Sequence, residues 1–547
     1  MKDISVLKWI YKHCGNRKVE GMALVLLNAW SAVSVTLFAV LSKSVIDSAQ
    51  AGDSERLTKN ILLFIIIMVL QIIVRIASAF TTSVSQGKAE ICLKDFAFSS
   101  VVYGKYAEVT GKHSGDLMTR LSSDVQIVCS HYISFVPNMV TYVIRILSAA
   151  IALYALEKRF ATMIVVCGIV VSIVVVIFRK KFKAFHRRVL EKESLVRAYM
   201  QEMIENLFAI KVFGIEKKVT GIALEKQKSY YREQIKKKSF SIIAGIGFSF
   251  IFSIGFLLAV ICGAYGILND DSMKFGDVVA IIQLVGQLRA PIIGITRVIP
   301  AFLGMIASAQ RLMDVCEIEK EDVGYANLRY EDFKKIRLEN VSFGYGEEKV
   351  ITNADLAINK GEFVGIKGPS GAGKSTMFKL ITGLYPVETG KAVVEMADGE
   401  LDCRDAKRLF SFVPQDNMLF SGTIRENITM LNPDATEEEI RVAIEKSVAE
   451  FIYTLDGGLE FMLGESGAGV SQGQAQRIAI ARALLGKGKI LLMDESTSAL
   501  DSKTEDKIIN NLKNDPNTTV LFITHREMVM EQCDRTITVM NGRAYED

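Results

Sequence analysis

Little in this chain points to disulfides, zinc or a polyanionic partner. Its eight cysteines (Cys14, Cys92, Cys129, Cys167, Cys262, Cys316, Cys403, Cys533) are scattered, and no two form a C-x-x-C pair. Several lie in apolar runs, so they read as small core residues in a reducing or lipid setting. The net charge is only +4, which gives no bulk polyanion a reason to bind, so no nucleic-acid partner is expected. No cleavable leader is expected either. The basic residues Lys2, Lys8, Lys12, Arg17 and Lys18 run into an apolar stretch that no small-residue cleavage site closes early. The segment before that stretch is too short for a domain, so a peptidase that trims cargo is not expected.

What is abundant is apolar sequence. Hydrophobic residues make up 50% of the 547, although 23% are charged. The apolar excess is therefore concentrated, and it lies before about residue 306. Six stretches reach the roughly 20 residues that cross a bilayer: 21–45, 61–84, 132–156, 161–178, 240–268 and 278–306. None of the six contains Asp or Glu. Basic residues place the connections. The leader, the run Arg179-Lys180-Lys181-Phe182-Lys183 and the run Lys236-Lys237-Lys238 should be cytoplasmic. The short connections 47–56, 157–160 and 269–275 should face outward, although Lys158 and Arg159 weaken the contrast in the second. Both termini then lie in the cytoplasm. The inward connections, 85–131 and 179–239, are long, charged and rich in helix formers. They read as spanning helices that continue far beyond the membrane and turn back near 111–116 and 205–214. Pro137, Pro291 and Pro300 mark candidate kinks. Arg75, Arg145, Arg289 and Arg297 fall in or near the apolar stretches. An intramembrane charge usually faces an aqueous cavity, so these four are the candidate lining for a substrate with anionic groups.

The second half carries the chemistry. Gly368-Pro369-Ser370-Gly371-Ala372-Gly373-Lys374-Ser375-Thr376 is G-x-x-x-x-G-K-S between a strand-like run and a helix-like run. That context makes it a phosphate-cradling loop, with backbone N–H groups turned inward and a helix N-terminus behind them. Lys374 would reach the outer phosphates and Ser375 would ligate Mg²⁺. Downstream, Ile490-Leu491-Leu492-Met493 delivers Asp494 to the metal and Glu495 to the attacking water. His525 follows the apolar run 519–523 and is a candidate γ-phosphate sensor. Between them Val470-Ser471-Gln472-Gly473-Gln474 opens a helical run, a second anion site that would cap a nucleotide held by another copy of the domain.

In this order and spacing the motifs resemble a half-size ATP-binding cassette exporter, over nearly the whole chain. The resemblance implies a polytopic α-helical membrane domain (1–315, six spans with long intracellular extensions), a linker (316–334) and an α/β P-loop nucleotide-binding domain (335–547). Gly368 to Thr376 is similar to the Walker A loop, Gln415 to the Q-loop glutamine, 470–474 to the signature, and Asp494 with Glu495 to Walker B and its catalytic carboxylate. His525 is similar to the switch, Asp501 to the D-loop aspartate and Tyr345 to the aromatic that stacks on adenine. Gly464-Glu465-Ser466-Gly467 resembles the segment that senses the opposite intracellular loops. Catalysis is then assigned to Glu495, His525 and Gln415. ATP contacts are assigned to Tyr345, Gly368, Ser370, Gly371, Ala372, Gly373, Lys374, Ser375 and Thr376, with Asp501 and, from a second chain, Ser471, Gln472, Gly473 and Gln474. Mg²⁺ is assigned to Ser375, Gln415 and Asp494.

The resemblance also implies ATP-driven transport by alternating access, two nucleotides sandwiched head to tail, and a bacterial inner or plasma membrane location. The usual signature is L-S-G-G-Q, and Gln472 departs from it. With every Walker-side group present, a homodimer is favoured over pairing with a sister half-transporter. Cargo is expected to be hydrophobic or amphipathic: a drug, lipid or peptide. The alternatives are an ATP-gated channel or regulatory membrane protein on the same scaffold, a membrane-anchored NTPase doing mechanical or signalling work on soluble partners, and an importer of metal chelates.

Overall fold

The structure, a computed structural model, describes every residue but 1, 16, 113, 270–272, 322–327, 347, 417, 516 and 547; inside helices some side chains, chiefly within 159–183, also lie outside it. The chain forms two compact units. One comprises residues 1–102 and 113–317, and the other residues 103–112 and 318–547.

The first unit is helical. Its long apolar runs contain few breakers, and the helices outlast any bilayer: Ser54–Val102 has 49 residues, Lys158–Glu205 has 48 and Glu216–Asn269 has 54. At about 1.5 Å per residue each approaches or exceeds 70 Å, against about 30 Å of hydrocarbon. The long extensions expected beyond the apolar stretches are thus continuous, as helix, with those stretches. Among the described residues, four helices are long and apolar enough to cross a membrane: Lys18–Gln50, Ser54–Val102, Ser114–Leu156 and Phe275–Cys316. Ser253–Leu268 is a shorter apolar segment. The expected stretch 161–178 is helical, but nearly all its side chains lie outside the described residues.

Small residues bring these helices together, because between helices in lipid close packing and hydrogen bonds do the holding. Ala32, Ala39, Ala149 and Ala259 are fully buried. Thr36 and Ser148 share a hydroxyl contact of 2.8 Å, and Asn28 donates to Ser78 (3.1 Å) and accepts from Thr141 (3.2 Å). Of the candidate kinks, Pro137 and Pro300 lie inside unbroken helices. A break falls at Leu288, between helices Phe275–Gln287 and Arg289–Cys316. Pro291 lies three residues further on, and its missing N–H and ring disfavour the helical bond to residue 287.

The second unit is α/β. Its strands are β1 (Phe333–Tyr345), β2 (Glu348–Asn359), β3 (Phe363–Lys367), β4 (Thr389–Met396), β5 (Gly399–Asp402), β6 (Phe410–Val413), β7 (Gly422–Thr423), β8 (Met462–Leu463), β9 (Ile490–Asp494), β10 (Thr519–Ile523), β11 (Arg535–Met540) and β12 (Arg543–Glu546). β2-β1-β4-β5 form an antiparallel sheet, and β12-β11-β3-β10-β9-β6 form the second large sheet. From β11 to β6 the latter is parallel. Every residue of β9 and β10 is buried, as central parallel strands covered on both faces require. This order positions the site. β3, β10, β9 and β6 are neighbours in register, with Ile366 beside Ile523, Ile523 beside Asp494, and Val413 beside Met493. The loops that follow these four strands therefore emerge side by side, at the carboxyl edge where parallel sheets bind ligands.

Candidate functional site

The loop after β3 turns tightly before entering helix Lys374–Ile381. Gly368 has φ of 152°, and a Cβ there would sit 2.2 Å from the Val539 carbonyl oxygen. Gly373 has φ of 101° and abuts Ile351. Both positions exclude a side chain. Ser370 and Gly371 are exposed and Ala372 is half-buried, while Lys374 and Thr376 are buried. The Lys374 ammonium donates to the carbonyls of Gly368 (2.8 Å) and Pro369 (3.0 Å) and stands 3.4 Å from His525 Nε2.

The loops after β9, β10 and β6 complete the cluster. Asp494 ends β9 and is buried. Burial pushes its carboxyl above the usual range, the Ser375 hydroxyl pulls it back, and the adjacent Glu495 charge raises it again. Glu495 has φ of 45°, a left-handed backbone that costs a non-glycine residue roughly 1–2 kcal/mol. Its N–H is anchored on the Ile523 carbonyl at 3.0 Å. Its carboxylate accepts from the Gln415 amide (3.0 Å) and lies 3.5 Å from His525 Nε2. Gln415, Lys374, Glu495 and His525 thus converge on one point, as the motifs anticipate.

An all-oxygen set of hydroxyl, buried carboxylate and amide carbonyl suits a hard cation such as Mg²⁺. The Ser375–Asp494 hydrogen bond already joins two of its members. No cluster of three or more His, Cys, Asp or Glu fit for a metal occurs among the described residues.

The signature segment is built differently. Ser471 caps helix Gln472–Leu485. It accepts from the Gln474 N–H (3.3 Å), and the Gln474 side chain accepts from the Ser471 N–H (2.8 Å). Gln472 is exposed at the first helical position. Gly473 is the constrained residue, because a Cβ there would lie 2.9 Å from the Ala499 carbonyl oxygen. Among the described residues, no hydrogen bond joins 471–474 to the loop 368–376. Asp501 caps helix Ser502–Lys513 through the Thr504 N–H (3.0 Å) and hydroxyl (2.7 Å), which hold its carboxyl below the usual range. Tyr345 ends β1, is 44% exposed, and has its hydroxyl 3.4 Å from that of Thr376.

Sequence reasoning missed the staple behind these loops. Arg526 donates to the carbonyls of Ser498 (2.9 Å) and Leu500 (3.2 Å) and pairs with buried Glu505. Gln476 holds Ser498 and the Ala499 N–H. The only signal was a charged residue beside His525 and an acid on the apolar face of a helix. The four arginines do not form one group. Arg75 and Arg297 are exposed, and Arg289 donates to Ser249 (2.8 Å). Arg145 is half-buried, its Nε has no hydrogen-bond partner, and it lies within electrostatic reach of Arg75 and Tyr142.

The fold and the site define a P-loop nucleotide-hydrolysing domain fused to a helical membrane unit. A family description for the ABC transporter transmembrane region matches residues 21–292, and the ABC transporter family matches residues 351–498. An export ATP-binding/permease protein of Rickettsia bellii is 26% identical over 98% of this chain and 95% of its own length. A leukotoxin export ATP-binding protein of Aggregatibacter actinomycetemcomitans is 34% identical over 64% of this chain and 50% of its own. The solved structure of a bacterial Atm1-family ABC exporter with ATP bound aligns with a TM-score of 0.80 at 21% identity, over 96% of this chain and 94% of that one. At that identity the likeness concerns the fold. The chain belongs to the ABC transporters: it joins one membrane region and one cassette, half of a full transporter, and its ATP hydrolysis is coupled to transport.

Proposed function

We propose that two copies of this chain form a homodimeric exporter of the inner membrane, with six spans per chain, both termini cytoplasmic, and domains at 1–315 and 335–547. The observation that carries this reading is the division within the cassette. Glu495, Gln415, His525 and Lys374 meet at the carboxyl edge of one sheet, while Ser471 and Gln474 cap their own helix and, among the described residues, no hydrogen bond joins 471–474 to the loop 368–376. One chain therefore supplies two unlike half-sites. The exposed helix Leu207–Phe213 supports a second chain too: Phe208 is 83% and Phe213 70% exposed, a surface suited to docking on a partner's cassette.

In each composite site the loop 368–376 holds the phosphates by its N–H groups and Lys374, whose bonds to its own loop carbonyls are exchanged for phosphate oxygens. Tyr345 stacks on the base. Ser375, Gln415 and Asp494 hold Mg²⁺, which when bound neutralises β- and γ-phosphate charge. Glu495 takes the proton from the attacking water, and His525 steadies the γ-phosphate. Ser471, Gln472, Gly473, Gln474 and Asp501 contribute from the other chain. ATP binding closes the two cassettes and turns the cavity outward, and hydrolysis resets it. Substrates are hydrophobic or amphipathic with anionic groups, because Arg145 has an unpartnered Nε and Arg75 nearby, with no carboxylate in either apolar stretch.

ATPase measured in lipid nanodiscs against a panel of lipids, peptides and drugs, with Glu495→Gln as control, tests this. Stimulation by one anionic amphipathic class is expected. Hydrolysis that appears only when a second, different chain is added would overturn the homodimer.

A further inference from the structure

The first intracellular turn belongs to the same compact unit as the cassette. Its base is pinned by the linker. Gly104 forms an antiparallel bridge with Lys320, the Lys105 N–H donates to the Glu319 carbonyl (2.8 Å), and the Glu321 N–H donates to the Tyr103 carbonyl (2.8 Å). The Glu321 carboxylate accepts from the Tyr106 N–H (3.2 Å) and pairs with Lys407. The turn then forms a helix of only five residues, Tyr106–Thr110. So short a helix has no stability of its own, and its order is set by what it touches.

What it touches is a row of rings. Tyr106 stands edge-on to Tyr385, with centroids 5.6 Å apart and planes at 86°. Tyr385 stands edge-on to Tyr345 at 5.4 Å and 89°. Phe343 packs against both, at 5.2 Å from Tyr385 and 5.1 Å from Tyr345. The Thr110 hydroxyl lies 3.3 Å from the Tyr385 hydroxyl, and the Tyr345 hydroxyl lies 3.4 Å from that of Thr376 in the phosphate loop. The row therefore runs unbroken from the nucleotide loop to the intracellular helix. Aromatic side chains have two torsions and edge-to-face pairs have a narrow preferred geometry. A shift of one ring is passed to the next.

We propose that Tyr385 is a positioning residue that ties the base-stacking ring of Tyr345 to the helix Tyr106–Thr110 of the same chain, so that filling the base site orders that chain's own first intracellular turn. This rests on the reading of Tyr345 as the base-stacking ring.

The test is hydrogen–deuterium exchange of peptide 103–112 in the full-length Glu495→Gln protein in nanodiscs, with and without Mg²⁺-ATP. ATP is expected to slow exchange there about tenfold. Adding Tyr385→Leu should abolish that slowing, with ATP affinity kept within about threefold and protection of 490–494 retained. Tyr385→Phe, which keeps the ring edge, should restore most of it. Undiminished ATP-dependent protection in Tyr385→Leu overturns the proposal. Tyr345→Ala separates the underlying reading: unchanged ATP affinity in that variant rules out base stacking, whereas a loss of about tenfold leaves the relay to be judged by Tyr385 alone.

Discussion

The two faces that one cassette offers to ATP are opposites in construction. On the Walker side, side chains from four loops hold one another: Gln415 holds Glu495, Glu495 approaches His525, and His525 approaches Lys374. On the signature side, among the described residues, the Ser471 and Gln474 side chains bond only each other's backbone N–H, and Gln472 is exposed. The first face is pre-organised for chemistry and the second for presentation to another molecule. In the proposed composite site, made of both, hydrolysis would require closure between chains and so be contingent on a conformational change.

Breaking the first face should have the largest effect. Glu495→Gln removes the proposed general base and should lower ATPase by about 10²–10⁴-fold, with ATP binding retained in a filter or fluorescence assay. Lys374→Ala should abolish transport while the dimer stays assembled on size exclusion. Next comes the close contact between the signature helix and the loop after Glu495. Gly473→Ala places a methyl 2.9 Å from the Ala499 carbonyl oxygen, and neither backbone can yield cheaply. Turnover should fall about tenfold, corresponding to roughly 1.4 kcal/mol, with nucleotide affinity nearly unchanged. Turnover equal to the parent's would show that 473 and 499 part during closure.

Asp494 sharpens the contrast through stability. Burial raises its pKa in the folded chain, so the fold binds this proton more tightly than the unfolded chain does. The site's contribution is greatest at low pH. It is lost as pH rises from the ordinary carboxylate range through the raised native value. Without Mg²⁺, Asp494→Asn should therefore melt higher than the parent, with a gap that widens across that window and then levels off. Thermal melts at a series of pH values measure it. The same substitution should remove Mg²⁺-dependent ATPase. A variant that melts lower at neutral pH would mean that the Ser375 hydrogen bond outweighs desolvation.

The two faces also differ in how legible they were. Walker-side identities are dictated by chemistry: phosphate needs glycines and a lysine, the metal a carboxylate, the water a base. Gly368 to Thr376, Asp494 and Glu495 could thus be marked before any fold was known, His525 only through the family resemblance, and the order β3-β10-β9-β6 brings them together. What was illegible depends on distant neighbours. Nothing local to Glu495 announces its left-handed backbone, which is held by a bond to Ile523. Nothing local to Arg526 announces Glu505, nor does Tyr385 announce Tyr106. Asp501, assigned to ATP by its motif, is engaged as a helix cap, a role that any Asp before a helix can take. In the helical unit, hydropathy showed where helices are long, and of the three prolines marked as candidate kinks Pro291 lies just after a break, at Leu288, while Pro137 and Pro300 lie inside continuous helices.

The smallest expected effect is the most informative about the second face. Gln472 stands where the usual signature has glycine, at the first helical position, with its side chain exposed. Glycine within a helix costs roughly 1 kcal/mol relative to alanine. At the first turn, with no packing to lose, Gln472→Gly should change stability by less than about 0.5 kcal/mol. The steric constraint lies one residue on, at Gly473, so the glutamine should not obstruct the approach to phosphate. ATPase of the purified homodimer should then move by less than about threefold. A rise above tenfold in this variant would show that the glutamine weakens the composite site. The natural partner of this signature would then be a chain whose own signature is intact, and the homodimer would give way to a heterodimer with one strong and one weak site.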